Sequence, residues 1–427
     1  MTQLRPFRGL RYTESAGAPD DLLAPPYDVI GRALQTALAS RSPHNAVHLE
    51  LSEGGDERYA RVAKLVNEWE SEGVLARDDA PMFYMYEQEF PTGVVTQRRR
   101  GLFAAIEAQP WEAGAVKPHE FTLSGPKEDR LKLLQAANTQ FSPVFVIARD
   151  RAGQLTELIA ETVAGGPPAL EATTADGVTH RLWPIEAGPI EMRRLAPLFS
   201  ESFYLADGHH RYETAVAYRD WRAAQSPTGP DHASRFTMGV IVPASDPGLI
   251  VKPIHRVVRN APEDWREKLE PLFEIETVKL IGSHVEQARE LLAMVREDPS
   301  AIVAHGFEGW LAHVLRLRDP ARFATAVPGG HSEAWATIAP NVLRYGVLEP
   351  LWGIGDEQLR AGAVEYANDI ESAMEQCETQ PGTVVFLLNG IRLEDVLTLA
   401  DRGERLPQKS TFFDPKLGTG LVFYPLE

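Results

Sequence analysis

Apolar and polar positions recur along this chain with two periods. Tyr59, Val62, Leu65, Val66 and Trp69 are spaced by three and four residues and predict an amphipathic helix over Asp56 to Gly73, with Gly73 suited to its stop. Pro81 to Phe90 and Gln97 to Ile106 read as two strands of a hairpin about the Pro91-Thr92-Gly93 turn. Arg98, Arg99 and Arg100 fall on the returning strand, where at most two share a face, and a solvated face is expected of them. Ala46 to Leu51 alternates and predicts a strand. Pro126 suits a first helical position, with Glu128 and Asp129 in the first turn, Leu131, Leu134 and Ala137 continuing the helix, and Arg130 near its buried side. Pro143 to Ala148 and Phe236 to Val242 read as core strands, as does Leu249 to Val258, which His255-Arg256 interrupts.

From about Asn260 the pattern shifts toward helices, predicted at Asp264 to Leu272, Val285 to Glu297 and Asp356 to Glu375, with short strands at Ala301 to His305 and Thr383 to Leu388. The expected class is α/β with mixed sheets, in two domains: 1–258, and a second α/β domain over 259–427 whose Pro407-Gln408-Lys409-Ser410-Thr411 tail is expected to return to the site of the first. A length of 427 residues exceeds one ordinary core, which agrees with that division. A net charge of −17 argues against a general nucleic-acid surface but leaves room for a local basic pocket. Cys377 is the single cysteine, so neither an internal disulfide nor a cysteine zinc site is available. No apolar run is long enough to span a membrane, and the first residues do not resemble a secretory signal; a cytoplasmic protein is expected.

Chemistry-bearing residues concentrate in three places. Asp207-Gly208-His209-His210-Arg211-Tyr212 lies between the apolar Phe203 to Ala206 and a helical pattern that follows. At such a strand-to-helix turn Gly208 permits an unusual backbone angle, the first helical N–H groups favour an anion, and Arg211 adds a planar charge suited to phosphate or carboxylate. Asp207 would then cap the helix, hold a metal ion or accept a proton. Asp-Gly before a helix is also ordinary capping chemistry, and both readings stand at this level. In the second stretch, Lys117 to Leu131, His119, Glu120 and Thr122 offer a general base and hydroxyl recognition; alternatively Glu120 ties its loop to Lys117 or Arg130. The third, Leu406 to Gly420, sets Lys409, Ser410 and Lys416 among turn residues, either as a phosphate-binding loop or as a surface loop closing the fold.

Together with Pro25-Pro26-Tyr27-Asp28 and Pro253-Ile254-His255-Arg256, these motifs resemble the bacterial and archaeal domain-of-unknown-function 1015 (DUF1015) family over nearly the whole length. That family resembles, at a distance, the superfamily of the chromosome-partitioning protein ParB, sulfiredoxin and free-serine kinases, in which a Gly-x-x-Arg turn at a helix start binds phosphates. The resemblance implies a ParB/sulfiredoxin-like phosphate-binding core and a kinase acting on free L-serine, with pyrophosphate or a nucleotide as donor. Sulfiredoxin chemistry needs a cysteine in the turn, where His209 or His210 stands, and a ParB role needs a basic DNA-binding module that this acidic chain does not show.

The expectation is therefore a small-molecule phosphotransferase. Gly208, Arg211, Lys409, Ser410 and Lys416 would bind phosphate, and His119, Thr122 and Arg256 the substrate, a serine-like alcohol. Glu120, Asp207, His209 and His210 would be catalytic, and Asp207 would hold Mg²⁺. The rival readings are a metal-dependent phosphoesterase using His119, His209, His210 and Asp207, and a nucleotide-binding regulatory module without turnover.

Overall fold

The structure is a computed structural model that describes residues 3–121 and 125–427, the side chains of 125 and 126 apart. It divides into two compact units. Of the described residues, the first comprises 3–118, 125–250 and 415–427, and the second 119–121 and 251–414.

The first unit is built on a nine-stranded mixed sheet. Its long members are the expected hairpin, Met82–Thr92 and Val95–Glu107, whose turn falls one to two residues later than the sequence suggests. Outward from Val95–Glu107 lie Phe236–Pro243, then Val144–Ala148, then Phe203–Asp207, then Val116–Pro118. Phe236–Pro243 runs parallel to Val144–Ala148, and Phe203–Asp207 parallel to Val116–Pro118; the remaining ladders described for this sheet are antiparallel. The central strands are buried on both faces, which is why they read as continuous apolar runs. Arg99 departs from the solvated face expected of it. It points away from Arg98 and Arg100, as alternation requires, but it is buried, over the Phe145 ring at 4.7 Å and bonded to Gln88 and the Pro415 carbonyl.

Helices Glu57–Ser71, Gly125–Ala137 and His209–Gln225 pack in sequence against one another in this unit. The expected strand at Ala46 to Leu51 is instead a short helix, Val47–Glu50. Asn45 explains it: its side-chain oxygen accepts from Val47 N at 2.9 Å, and its amide donates to the carbonyls of Asp21 and Leu23. Ala46, Val47 and Leu49 are all buried, so the alternation came from a helical turn enclosed on several sides.

The second unit holds a six-stranded antiparallel sheet, in the order Phe273–Lys279, Leu311–Leu317, Ile302–His305, Thr383–Leu387, His255–Arg259, Glu365–Ala367. The domain boundary moves accordingly. His255–Arg259 pairs with strands of this sheet, so the division falls after Ile250, not after residue 258. The tail also divides. Tyr424–Pro425 pairs with Thr139–Gln140 and Phe423 bridges to Leu10, which places 415–427 in the first unit. The helix expected over Asp356 to Glu375 breaks into Asp356–Arg360, a strand Glu365–Ala367 and a helix Ile370–Thr379, with Gly362 at φ +84° in the first break. Among the described residues no helix is long and apolar enough to cross a membrane.

Candidate functional site

In the first unit the strand Phe203–Asp207 ends at Asp207, and the helix His209–Gln225 begins two residues later. Gly208 between them has φ +87°, a left-handed angle that costs glycine least. A Cβ on Gly208 would also meet the Arg211 guanidinium at 3.1 Å, so the absence of a side chain lets Arg211 fold back over the turn. Arg211 Nη2 donates to Asp207 Oδ2 at 2.9 Å, and Nη1 donates to the Pro143 carbonyl. Lys416 Nζ donates to the other oxygen, Asp207 Oδ1, at 2.9 Å. Burial alone would raise the Asp207 pKa, but the charges of Lys416 and Arg211 outweigh it and hold the carboxyl well below the usual carboxylate range. His209 acts on the same carboxylate through its charge.

Two roles expected of Asp207 do not fit this arrangement. A carboxylate so strongly ionised is a poor proton acceptor near neutral pH. As a metal ligand it would have to give up cations on both oxygens, and among the described residues no group of three or more His, Cys, Asp or Glu is placed to hold an ion. Asp207 instead positions two cations beside a helix start.

Beside this turn lies an ion pair between residues far apart in sequence. Arg130 Nη1 donates to Glu50 Oε2 at 3.0 Å and to the Glu50 carbonyl at 2.9 Å, while its other nitrogens bond Asp129. The guanidinium sits 4.3 Å from the centre of the Tyr27 ring, which brings in the Pro25-Pro26-Tyr27-Asp28 loop. Glu50 Oε1 accepts from Ser142 Oγ. Desolvation raises the Glu50 pKa, against the Arg130 and Arg211 charges. The available signal was a buried-side arginine on a predicted helix, which implies a buried acid somewhere; it did not say that Glu50 was the acid.

The other candidates meet in the second unit. The backbone N–H groups of Lys409, Ser410 and Thr411 converge on the Glu120 carboxylate at 3.3, 3.1 and 2.9 Å, and Thr411 Oγ1 donates to it at 2.8 Å. His119 Nε2 lies 2.7 Å from Thr411 Oγ1; since that hydroxyl gives its proton to Glu120, the imidazole is the donor. Lys409 is left-handed at φ +62°, and Arg256 Nη2 donates to its carbonyl at 2.9 Å. Burial lowers the Arg256 pKa to about 10. The N–H groups of the turn and the Thr411 hydroxyl thus hold the chain's own Glu120 carboxylate. The alternative tie of Glu120 to Lys117 or Arg130 is replaced by this one. Thr122 lies outside the described residues.

No curated protein matches the chain in sequence. Among solved structures, a mutant free serine kinase in complex with ADP is similar at 15% identity and TM-score 0.36, over 78% of this chain and 95% of that one. SbnI from Staphylococcus aureus, with a C-terminal truncation, is similar at 11% identity and TM-score 0.36, over 76% and 87%. A conserved hypothetical protein from Pyrococcus furiosus is similar at 16% identity and TM-score 0.34, over 74% and 93%. Likeness at these scores does not carry an activity across. The family described as "Protein of unknown function (DUF1015)" matches residues 4–322, and the chain belongs to that family.

Proposed function

We propose that this protein is a small-molecule phosphotransferase that moves a phosphoryl group to an alcohol, with a serine-like acceptor and pyrophosphate or a nucleotide as donor. The observation that carries the reading is the pair of cations, Arg211 and Lys416, set on a half-buried carboxylate at a glycine-bearing helix entrance. Phosphoryl transfer asks mainly for positioning and neutralised charge, which such groups supply.

In this reading Arg211 and Lys416 meet the oxygens of the transferring group. The start of the 17-residue helix His209–Gln225 adds its dipole. Asp207 acts through the two cations as a positioning residue. The bond from phosphorus to the donor's leaving oxygen breaks as the bond to the acceptor oxygen forms. The departing phosphate, or the terminal phosphate of the departing nucleotide, takes up the hydroxyl proton. His119, Glu120, Arg256, Lys409 and Ser410 are assigned to holding the turn of the second unit.

Calorimetric titration with pyrophosphate and with ADP tests the site. Binding of at least one to the folded wild-type protein, weakened about tenfold or more in Arg211→Lys, is expected, because a lysine loses the fork that spans Asp207 and the Pro143 carbonyl. Equal affinity in both proteins would remove Arg211 from the site.

A further inference from the structure

Two helices of the first unit face each other with matching series of side chains. On Gly125–Ala137, the positions i, i+3 and i+4 are Arg130, Leu133 and Leu134; on His209–Gln225 they are Arg211, Thr214 and Ala215. Both series line one small cleft of about 60 Å³, open to solvent, which the 139–142 segment and Tyr27 also border. The cleft is graded. Its charged end is made by Arg130, Arg211 and Glu50, and its apolar wall by Leu133, Leu134, Phe141 and Ala215.

One group in this lining stands apart. Thr214 is 4% exposed, and its Oγ1 finds no hydrogen-bond partner among the described residues. The polar groups around it are completed. Gln140 donates to the Phe236 carbonyl and accepts from Met238 N and Thr237 Oγ1, and Ser142 joins Glu50 and Thr419. An enclosed hydroxyl without a partner lowers stability unless something completes it. Arg211 belongs both to this cleft and to the Asp207 turn, so a molecule lying along the helix from Thr214 reaches the proposed phosphoryl position.

We propose that the cleft is the acceptor subsite of the transfer described above, on which this inference rests, and that Thr214 is its specificity-determining residue. The ligand class is a short-chain aliphatic hydroxy compound. A polar group of the ligand completes Thr214 Oγ1, its carbon chain lies on Leu133, Leu134 and Ala215, and the reacting hydroxyl is directed toward Arg211.

The test uses the full chain and a panel of L-serine, L-threonine, L-homoserine and glycerol, with binding read by saturation-transfer NMR and calorimetry. Thr214→Val keeps the shape and removes the hydroxyl. Its melting temperature should equal or exceed that of wild type, while affinity for the panel compound that binds best falls about tenfold, the loss expected of one hydrogen bond. Leu134→Phe, which fills the cleft, should abolish panel binding. Pyrophosphate or ADP binding at the turn should survive both changes. The subsite is overturned if no panel compound binds wild type, if Thr214→Val binds unchanged, or if Thr214→Val is less stable or unfolded, since the hydroxyl would then serve the fold. Loss of panel binding with donor binding retained supports the inference. Absence of donor binding in wild type overturns the phosphotransferase reading instead.

Discussion

Lys416 Nζ lies 2.9 Å from Asp207 Oδ1, joining positions 209 residues apart, while Arg211, one helical turn on, holds the other oxygen at the same distance. The three side chains are 11 to 17% exposed, so each charge depends on the others for compensation. Asp207→Asn leaves two cations facing each other, and a stability loss of about 3–5 kcal/mol in urea denaturation is expected. Lys416→Met leaves the Asp207–Arg211 pair intact and should cost less. An Asp207→Asn protein as stable as wild type would contradict the assigned role.

Gly208 is expected to accept no side chain. Its φ of +87° and the guanidinium at 3.1 Å from a would-be Cβ act together. Gly208→Ala should lower stability by about 1–2 kcal/mol through the backbone alone and displace Arg211, weakening pyrophosphate or ADP binding at the same time. Denaturation and calorimetry on the same preparation check both.

Glu120 offers a contrast within the second unit. Its carboxylate completes three backbone N–H groups and one hydroxyl. Glu120→Ala should cost about 2 kcal/mol because those donors lose their acceptor, and Glu120→Gln, which keeps one oxygen, should cost less. A variant stabilised by the alanine change would argue that the turn does not need this anion.

The sequence showed elements whose signal is local. The helix at 57–71, the hairpin at 82–107 and the strand–turn–helix around Gly208 follow from period and turn chemistry within a few residues. Residues that meet across long separations were less accessible. Glu120 and the Lys409–Thr411 turn were each noticed, yet their bond to one another, across about 290 residues, left no mark in either pattern. Glu50 was hidden by a misread element, because an alternating run suggested a strand where Asn45 starts a helical turn. For Arg99 the sequence pattern suggests a solvated face because charge usually faces water; the cost of burial is met by the Phe145 face, Gln88 and a carbonyl, none of which adjoins it in sequence.

Buried histidines, His180 and His255 among them, give the fold a pH dependence with a definite sign. Burial lowers the pKa of His180 and of His255 from 6.5 to about 4. Above 6.5 both are neutral, folded or unfolded, and their contribution is fully present. Between 6.5 and 4 the unfolded chain takes up protons that the folded one resists, so stability falls as pH falls. Each histidine should account for about 2 kcal/mol between pH 7 and pH 5. Urea denaturation at the two pH values checks this, and His255→Gln should remove its share of the difference.

The central claim is tested most directly by phosphorus NMR of the full chain incubated with each donor, pyrophosphate, ADP or ATP, against each alcohol of the acceptor panel. The account predicts a phosphomonoester resonance for at least one pairing with wild type, and its loss in both Arg211→Lys and Lys416→Met at concentrations where those proteins remain folded. A folded wild-type protein that binds a donor yet forms no phosphomonoester with any acceptor, or variants that transfer as fast as wild type, would contradict it.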